Sequence, residues 1–353
     1  MDAETLPGLL EPARFEGEFD GRPTALFLLR NESGMGVAVC NLGARILQIV
    51  VPDRDGVPGD VALGYDSLDD LLQGAPSMGA FIGRYAGRIA QARFTLDGHE
   101  HQLVANAGPH CIHGGPRGSR HRVFEARQTD AHTLELQHRF ETADDGFPGA
   151  LALRLTYRLT EHNELVIEHE ATAVEGHGPA SFTCHAFFNL DGPGHVRIDS
   201  HRLEVRASQL LATDADNIPT GERTPLRDHP LDLRTPQKLG GLPDIDHSYV
   251  IDADPHTTSL RLCARADSEA SGRTLEVWTT EPVLQVYTAG QLGTGGVADI
   301  GKRGVVHRPR SGLCLEPQQF PNAPNCPGFP FNRVTAERPY RAQTRYRFGV
   351  LNR

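Results

Sequence analysis

Leu151-Ala152-Leu153-Arg154-Leu155-Thr156-Tyr157-Arg158-Leu159-Thr160 alternates without a break, with Leu151, Leu153, Leu155, Tyr157 and Leu159 on one side and Arg154, Thr156, Arg158 and Thr160 on the other. Successive side chains of a strand point to opposite faces. A period of two therefore predicts an antiparallel strand that is packed on one face and wet on the other. Glu161-His162-Asn163 reads as the turn that returns this strand to Leu165-Val166-Ile167-Glu168-His169-Glu170.

The same kind of pattern extends in both directions. Upstream, Arg122 to Phe140 reads as a hairpin around Thr129-Asp130-Ala131, and Asp97-Gly98 is a strong two-residue hairpin turn between 92–96 and 100–104. Short apolar runs at 25–29, 46–51 and 60–65 read as further strands, and Ser67 is an N-cap for a short helix over the leucines that follow. Downstream, strands are expected at 180–190, 203–206, 249–251, 259–262, 275–279, 283–287, 311–315 and 344–350. Many short strands separated by turn signals predict an all-β sandwich or supersandwich.

The 353 residues carry a net charge of −10 and are 39% hydrophobic, with a pI near 5.9 and a mean hydropathy of −0.38. The scattered Lys and Arg form no basic tract, so nucleic acid is not an expected partner. No apolar run approaches the roughly 20 residues of a membrane-spanning helix, and the first residues lack the pattern of a signal peptide. A cytoplasmic location follows as an expectation. No linker or repeat divides the chain, so 1–353 is read as a single domain. Six widely spaced cysteines with no C-x-x-C pair read as reduced thiols rather than a disulfide or zinc framework.

Several loops carry chemistry. Cys314-Leu315-Glu316-Pro317 delivers one carboxylate where Pro317 is expected to end regular pairing; Glu316 is there either a solvated strand-end acid or part of a binding loop stiffened by Pro317, Pro321 and Pro324. Gly83-Arg84-Tyr85-Ala86-Gly87-Arg88 sets two arginines among small residues, to bind a ligand oxygen or to pair with surface carboxylates. His110 and His113 lie in a Gly-rich loop with too many breakers for a zinc-binding helix. His99 and His101 read as solvated. His185, inside the aromatic run 180–190, is either a core residue or a proton donor. Asp246 enters a strand from a loop that also holds Asp244.

Taken in order, six stretches resemble the aldose 1-epimerase (galactose mutarotase) family over nearly the whole chain. They are Gly83 to Ile89, Asn106 to Gly115, Thr183-Cys184-His185-Ala186-Phe187-Phe188-Asn189-Leu190, Asp246-His247, Gln285-Val286-Tyr287-Thr288 and Cys314-Leu315-Glu316-Pro317-Gln318. The resemblance implies an antiparallel β-supersandwich of the galactose mutarotase-like type. It implies a cofactor-free and metal-free isomerase acting on a free monosaccharide, as a monomer or homodimer. It further implies that Glu316 is the general base, His185 the general acid, and Arg88, His113, Asp246 and Gln285 sugar-binding residues. Opening a hemiacetal asks independently for such a set, because one proton leaves the C1 hydroxyl while another reaches the ring oxygen.

The chain departs from the family pattern at Gly87 and Cys184, where asparagine is usual, and at His110-Cys111-Ile112. These departures leave the preferred aldose open. Three other readings remain at this level: a hexose-6-phosphate epimerase, which would want a basic cluster; a glycosidase built on Glu316 and Asp246; and a non-catalytic sugar-binding module.

Overall fold

The computed structural model describes residues 8–75, 77–192, 197–252, 259–296 and 298–351. Its named strands all pair antiparallel. The largest sheet has nine strands, in the spatial order Glu125–Gln128, Thr133–Phe140, Ala150–Leu159, Glu164–Glu175, Tyr340–Val350, Arg273–Thr279, Arg261–Asp267, Arg202–Val205 and Gln237–Lys238. A six-stranded sheet runs Phe187–Phe188, Leu313–Gln318, Val283–Tyr287, Asp246–Ile251, Ala207–Thr213 and Pro219–Pro225. A four-stranded sheet holds Leu26–Arg30, Gly36–Cys40, Arg45–Pro52 and Pro58–Asp60. No helix among the described residues is long and apolar enough to cross a membrane.

The main core joins the three sheets. Leu151, Leu153, Leu155 and Tyr157 of the alternating strand are buried, and they belong to one cluster with Tyr249, Leu284, Val286 and Leu315 of the six-stranded sheet and with Val37, Val39 and Ile46 of the four-stranded one. Two tyrosines of the nine-stranded sheet reach backbone carbonyls of segments facing it, Tyr346 at Leu315 (2.9 Å) and Tyr157 at Ala44 (2.8 Å), so each buried hydroxyl has a partner. The Asp97-Gly98 turn closes a hairpin of Arg93–Leu96 and His99–Gln102, and Ser67 caps Leu68–Gln73 as its position suggests. All six cysteines are free and buried.

Three expectations need correction. The aromatic run 180–190 is not one strand: Thr183–Cys184 pairs with Phe81–Ile82, Phe187–Phe188 pairs with the Glu316 strand, and His185-Ala186 lies between them. Pro317 does not end pairing, since it stands opposite Leu284 and the ladder continues to Gln318. On its other flank that strand is paired only at Leu313 and Cys314, so Pro317 sits at an edge, where proline is tolerated. The run at 60–65 contributes only Asp60 to a strand and an isolated bridge from Ala62 to Phe188.

Candidate active site

Three neighbouring strands of the six-stranded sheet are in register, so that Ser248, Gln285 and Glu316 form one cross-strand row, and Asp246, Tyr287 and Cys314 the next. Both rows face the same way because strand side chains alternate with a period of two. Leu284, Val286 and Leu315, on the intervening positions, turn into the core. Ser248, Gln285 and Glu316, with Asp246 and Tyr287, line a pocket of about 280 Å³ together with Arg88, Ile112, His113, Arg120, His185 and Pro321 among others.

Glu316 is 2% exposed, which removes the reading of a solvated strand-end acid. Burial, and after it the charge of Asp246, holds its carboxyl well above the usual range. His185 lines the same pocket from the segment between Thr183–Cys184 and Phe187–Phe188. Its backbone N–H donates to Ala80 O (2.8 Å) and its carbonyl accepts from Gly79 N (2.9 Å), which fixes the segment that breaks the aromatic run. The imidazole stacks on Phe187 with centroids 4.9 Å apart, and its Nε2 lies 3.8 Å from Glu316 Oε1. Burial pulls its pKa down to about 3, and the guanidiniums of Arg120 and Arg45 act in the same direction.

His113 adopts φ 55° ahead of two positive-φ glycines, a tight loop that presents its ring to the pocket. The Gly87 N–H donates to His113 Nδ1 at 3.3 Å, so the neutral ring carries its proton on Nε2. Burial, then the neighbouring His185, Arg120 and Arg88, keeps this histidine well below its ordinary value. The two rings meet edge to face at 5.4 Å.

Arg88 and Asp246 are half-buried and 4.0 Å apart. Gln285 donates from Nε2 to Asp246 Oδ1 (2.7 Å), and Ser248 donates to Gln285 Oε1 (2.5 Å). The chain Ser248, Gln285, Asp246 therefore fixes which end of the amide faces which neighbour. All six residues singled out in the sequence, Glu316, His185, Arg88, His113, Asp246 and Gln285, line this one pocket. The neighbouring Arg84 does not. It is 2% exposed and donates to the carbonyls of Pro148 (2.6 Å), Gly149 (2.5 Å) and Pro179 (3.1 Å), a structural clamp rather than a ligand contact or a surface ion pair. His110 likewise accepts from Gln91 N (3.1 Å) outside the pocket. His185, Cys314 and Glu316 bring donor atoms within 4.8 Å of one another, a set that a metal ion would have to share with the carboxylate and imidazole.

Sequence reasoning missed Ser248, Tyr287, Gln318, Ser77 and Arg120 as pocket residues. The first three stand two residues from Asp246, Gln285 and Glu316, so counting by twos along each strand would have found them. Nothing in the sequence around Ser77 or Arg120 marks them out.

Residues 25–347 match the family model described as Aldose 1-epimerase. The chain is 37% identical over 320 residues to the galactose mutarotase of Sus scrofa, covering 89% of this chain and 91% of the relative. It is 31% identical over 343 residues to the aldose 1-epimerase of Escherichia coli K12, covering 93% and 96%. The crystal structure of an aldose epimerase homologue from C. elegans superposes with a TM-score of 0.86 at 29% identity, covering 93% of this chain and all of the other. The pocket, the antiparallel supersandwich and these likenesses agree: the chain belongs to the aldose 1-epimerase family and is an isomerase of the mutarotase type.

Proposed function

We propose that Glu316 and His185 are the acid–base pair that interconverts the α and β anomers of a free aldose, and that Arg88, His113, Asp246 and Gln285 hold the sugar. The observation that carries this reading is the 3.8 Å approach of His185 to Glu316 in a pocket where Ser248, Gln285 and Asp246 fix one another beside them. In the tautomer with the shared proton on His185, the less populated one because burial raises the carboxyl and lowers the imidazole, the Glu316 carboxylate takes the proton of the C1 hydroxyl while the bond from C1 to the ring oxygen breaks, and the imidazolium gives its proton to that oxygen. The enzyme then holds a carboxylic acid and a neutral imidazole. Rotation about C1–C2 turns the other aldehyde face to the hydroxyl. His185 takes the proton back as the ring closes, and Glu316 returns its own to O1.

The pair carries one proton and no net charge in either state, which suits a buried site. His113, with its proton on Nε2, is a second donor for negative charge developing on the ring oxygen. Arg88 and Asp246 supply charge-assisted hydrogen bonds to ring hydroxyls, each worth about 1.5 to 3 kcal/mol. We read residues 1–353 as one domain working without a cofactor, as a cytoplasmic monomer or homodimer; six free, buried thiols suit a reducing compartment.

Polarimetry on freshly dissolved α-anomers of galactose, glucose, xylose and arabinose tests the reading and ranks the sugars. Wild type is expected to accelerate at least one of them above the spontaneous rate. Glu316→Gln and His185→Asn are each expected to lower turnover by roughly two to four orders of magnitude. Near-normal turnover by Glu316→Gln would remove the carboxylate from the mechanism.

A further inference from the structure

Arg120 is the charged group of the pocket that the anomerisation does not use. It follows the histidine–glycine loop in the short turn Ser119–His121, is 8% exposed, and lines the pocket together with Ser77. Its Nη1 donates to Ser77 Oγ (3.0 Å) and its Nε to His121 Nε2 (3.1 Å), both uncharged acceptors. Among the described residues, no carboxylate approaches within 4 Å and no hydrogen bond uses Nη2.

The acids that share the pocket are committed elsewhere, Asp246 to Arg88 and Gln285, and Glu316 to His185. Asp145, whose charge also reaches Arg120, accepts from Arg117 N (2.8 Å) and faces the Arg117 side chain. Arg45 adds a second buried cation behind, donating to the backbone oxygens of Met78 and Arg120. A guanidinium largely withdrawn from water with no carboxylate in contact is costly unless an anion arrives with the ligand.

The chemistry of the pair says where that anion would sit. His185 serves the ring oxygen, the ring oxygen is bonded to C5, and C5 carries C6. Ser77, which holds Arg120, lies two residues before Gly79, whose N–H donates to the His185 carbonyl (2.9 Å), so the Arg120–Ser77 pair flanks His185 and with it the ring-oxygen side of the sugar. With Nε and part of Nη1 engaged, the guanidinium keeps one free edge, which matches the two oxygens of a planar carboxylate. A phosphate dianion would ask for more than this single edge.

We propose that Arg120 and Ser77 form a subsite for a carboxylate at C6, so that the pocket takes hexuronic acids as well as, and in preference to, neutral hexoses. The proposal rests on the acid–base reading of Glu316 and His185. It is tested by following the anomers of freshly dissolved galacturonate and glucuronate by proton NMR, against galactose, glucose and glucose 6-phosphate, each corrected for its spontaneous rate.

Wild type is expected to show kcat/KM for a uronate roughly tenfold or more above the matching hexose. Arg120→Gln is expected to lower that ratio by about the same factor, mainly through KM, with Arg120→Lys recovering part of it. Hexoses turned over with uronates ignored would overturn the subsite while leaving the mutarotase reading intact. Acceleration of neither class would overturn the acid–base reading itself. A 6-phosphate preferred to both uronates would overturn the carboxylate assignment. The comparison of substrates uses wild type alone, so a poorly folded variant does not decide it.

Discussion

Glu316 and His185 share one proton, and burial moves their affinities for it in opposite directions, up for the carboxyl and down to about 3 for the imidazole. A second proton joins the pair only when His185 is forced to charge beside a protonated Glu316, so the acid limb of the rate profile is displaced below histidine's usual 6.5. The shared proton leaves through the raised carboxyl, so the alkaline limb is displaced above the usual carboxylate range. A plot of kcat/KM against pH is expected to have its acid midpoint well below 6.5, and both apparent values belong to the pair. An acid midpoint near 6.5 would mean that His185 titrates as a free histidine. At Gly87, φ is +78° and an added Cβ would meet Pro321 Cβ at 2.7 Å. Side chains other than glycine are strained there by about 1 to 2 kcal/mol before the collision is counted. Gly87→Ala is therefore expected to lower the melting temperature and raise KM, since Pro321, Arg88 and His113 all border the same pocket. Cys184, the other departure from the family pattern, is buried in the main core and is not among the pocket residues, so it bears on packing rather than on sugar contacts.

At the scale of elements, the alternation in Leu151–Leu159 is what a one-sided strand imposes, and the structure reproduces it position for position. Hairpin turns at Asp97-Gly98 and Thr129-Asp130-Ala131 were legible for the same local reason. The stretch 180–190 was not, because a run buried on every side has no alternation to read, and nothing local says that Thr183 and Phe187 join different sheets. Arg84 and Arg120 were opaque for a related reason: their roles are set by carbonyls or hydroxyls distant in sequence. His169, on Glu164–Glu175, packs among the rings of Phe81, Phe182 and Tyr340 at centroid distances of 5.6, 5.3 and 4.9 Å. Burial depresses its pKa to about 3. In the unfolded chain it protonates near 6.5, so its contribution to stability is present above that pH and drains away as pH falls towards 3. His169→Phe is expected to raise the melting temperature more at pH 5 than at pH 8; an equal shift at both would show that His169 does not carry this linkage.

For the whole molecule, the sheets leave a core continuous from the strand Gly36–Cys40 to the strand Tyr340–Val350. Six cysteines are buried, Cys184 and Cys263 in this core and the other four in smaller clusters beside it, none more than 4% exposed. Burial pushes the thiols of Cys111, Cys184 and Cys263 up to about 12 and that of Cys40 to about 11. Thiol reagents attack the thiolate, so the folded protein denies them both access and the reactive form. A chromogenic disulfide reagent is expected to label fewer than one thiol per chain in the time that it labels all six in denaturant. What labelling does occur then times the opening of the sandwich: Cys40, in the four-stranded sheet, and Cys263, in the nine-stranded one, become two internal clocks that say which layer comes apart first.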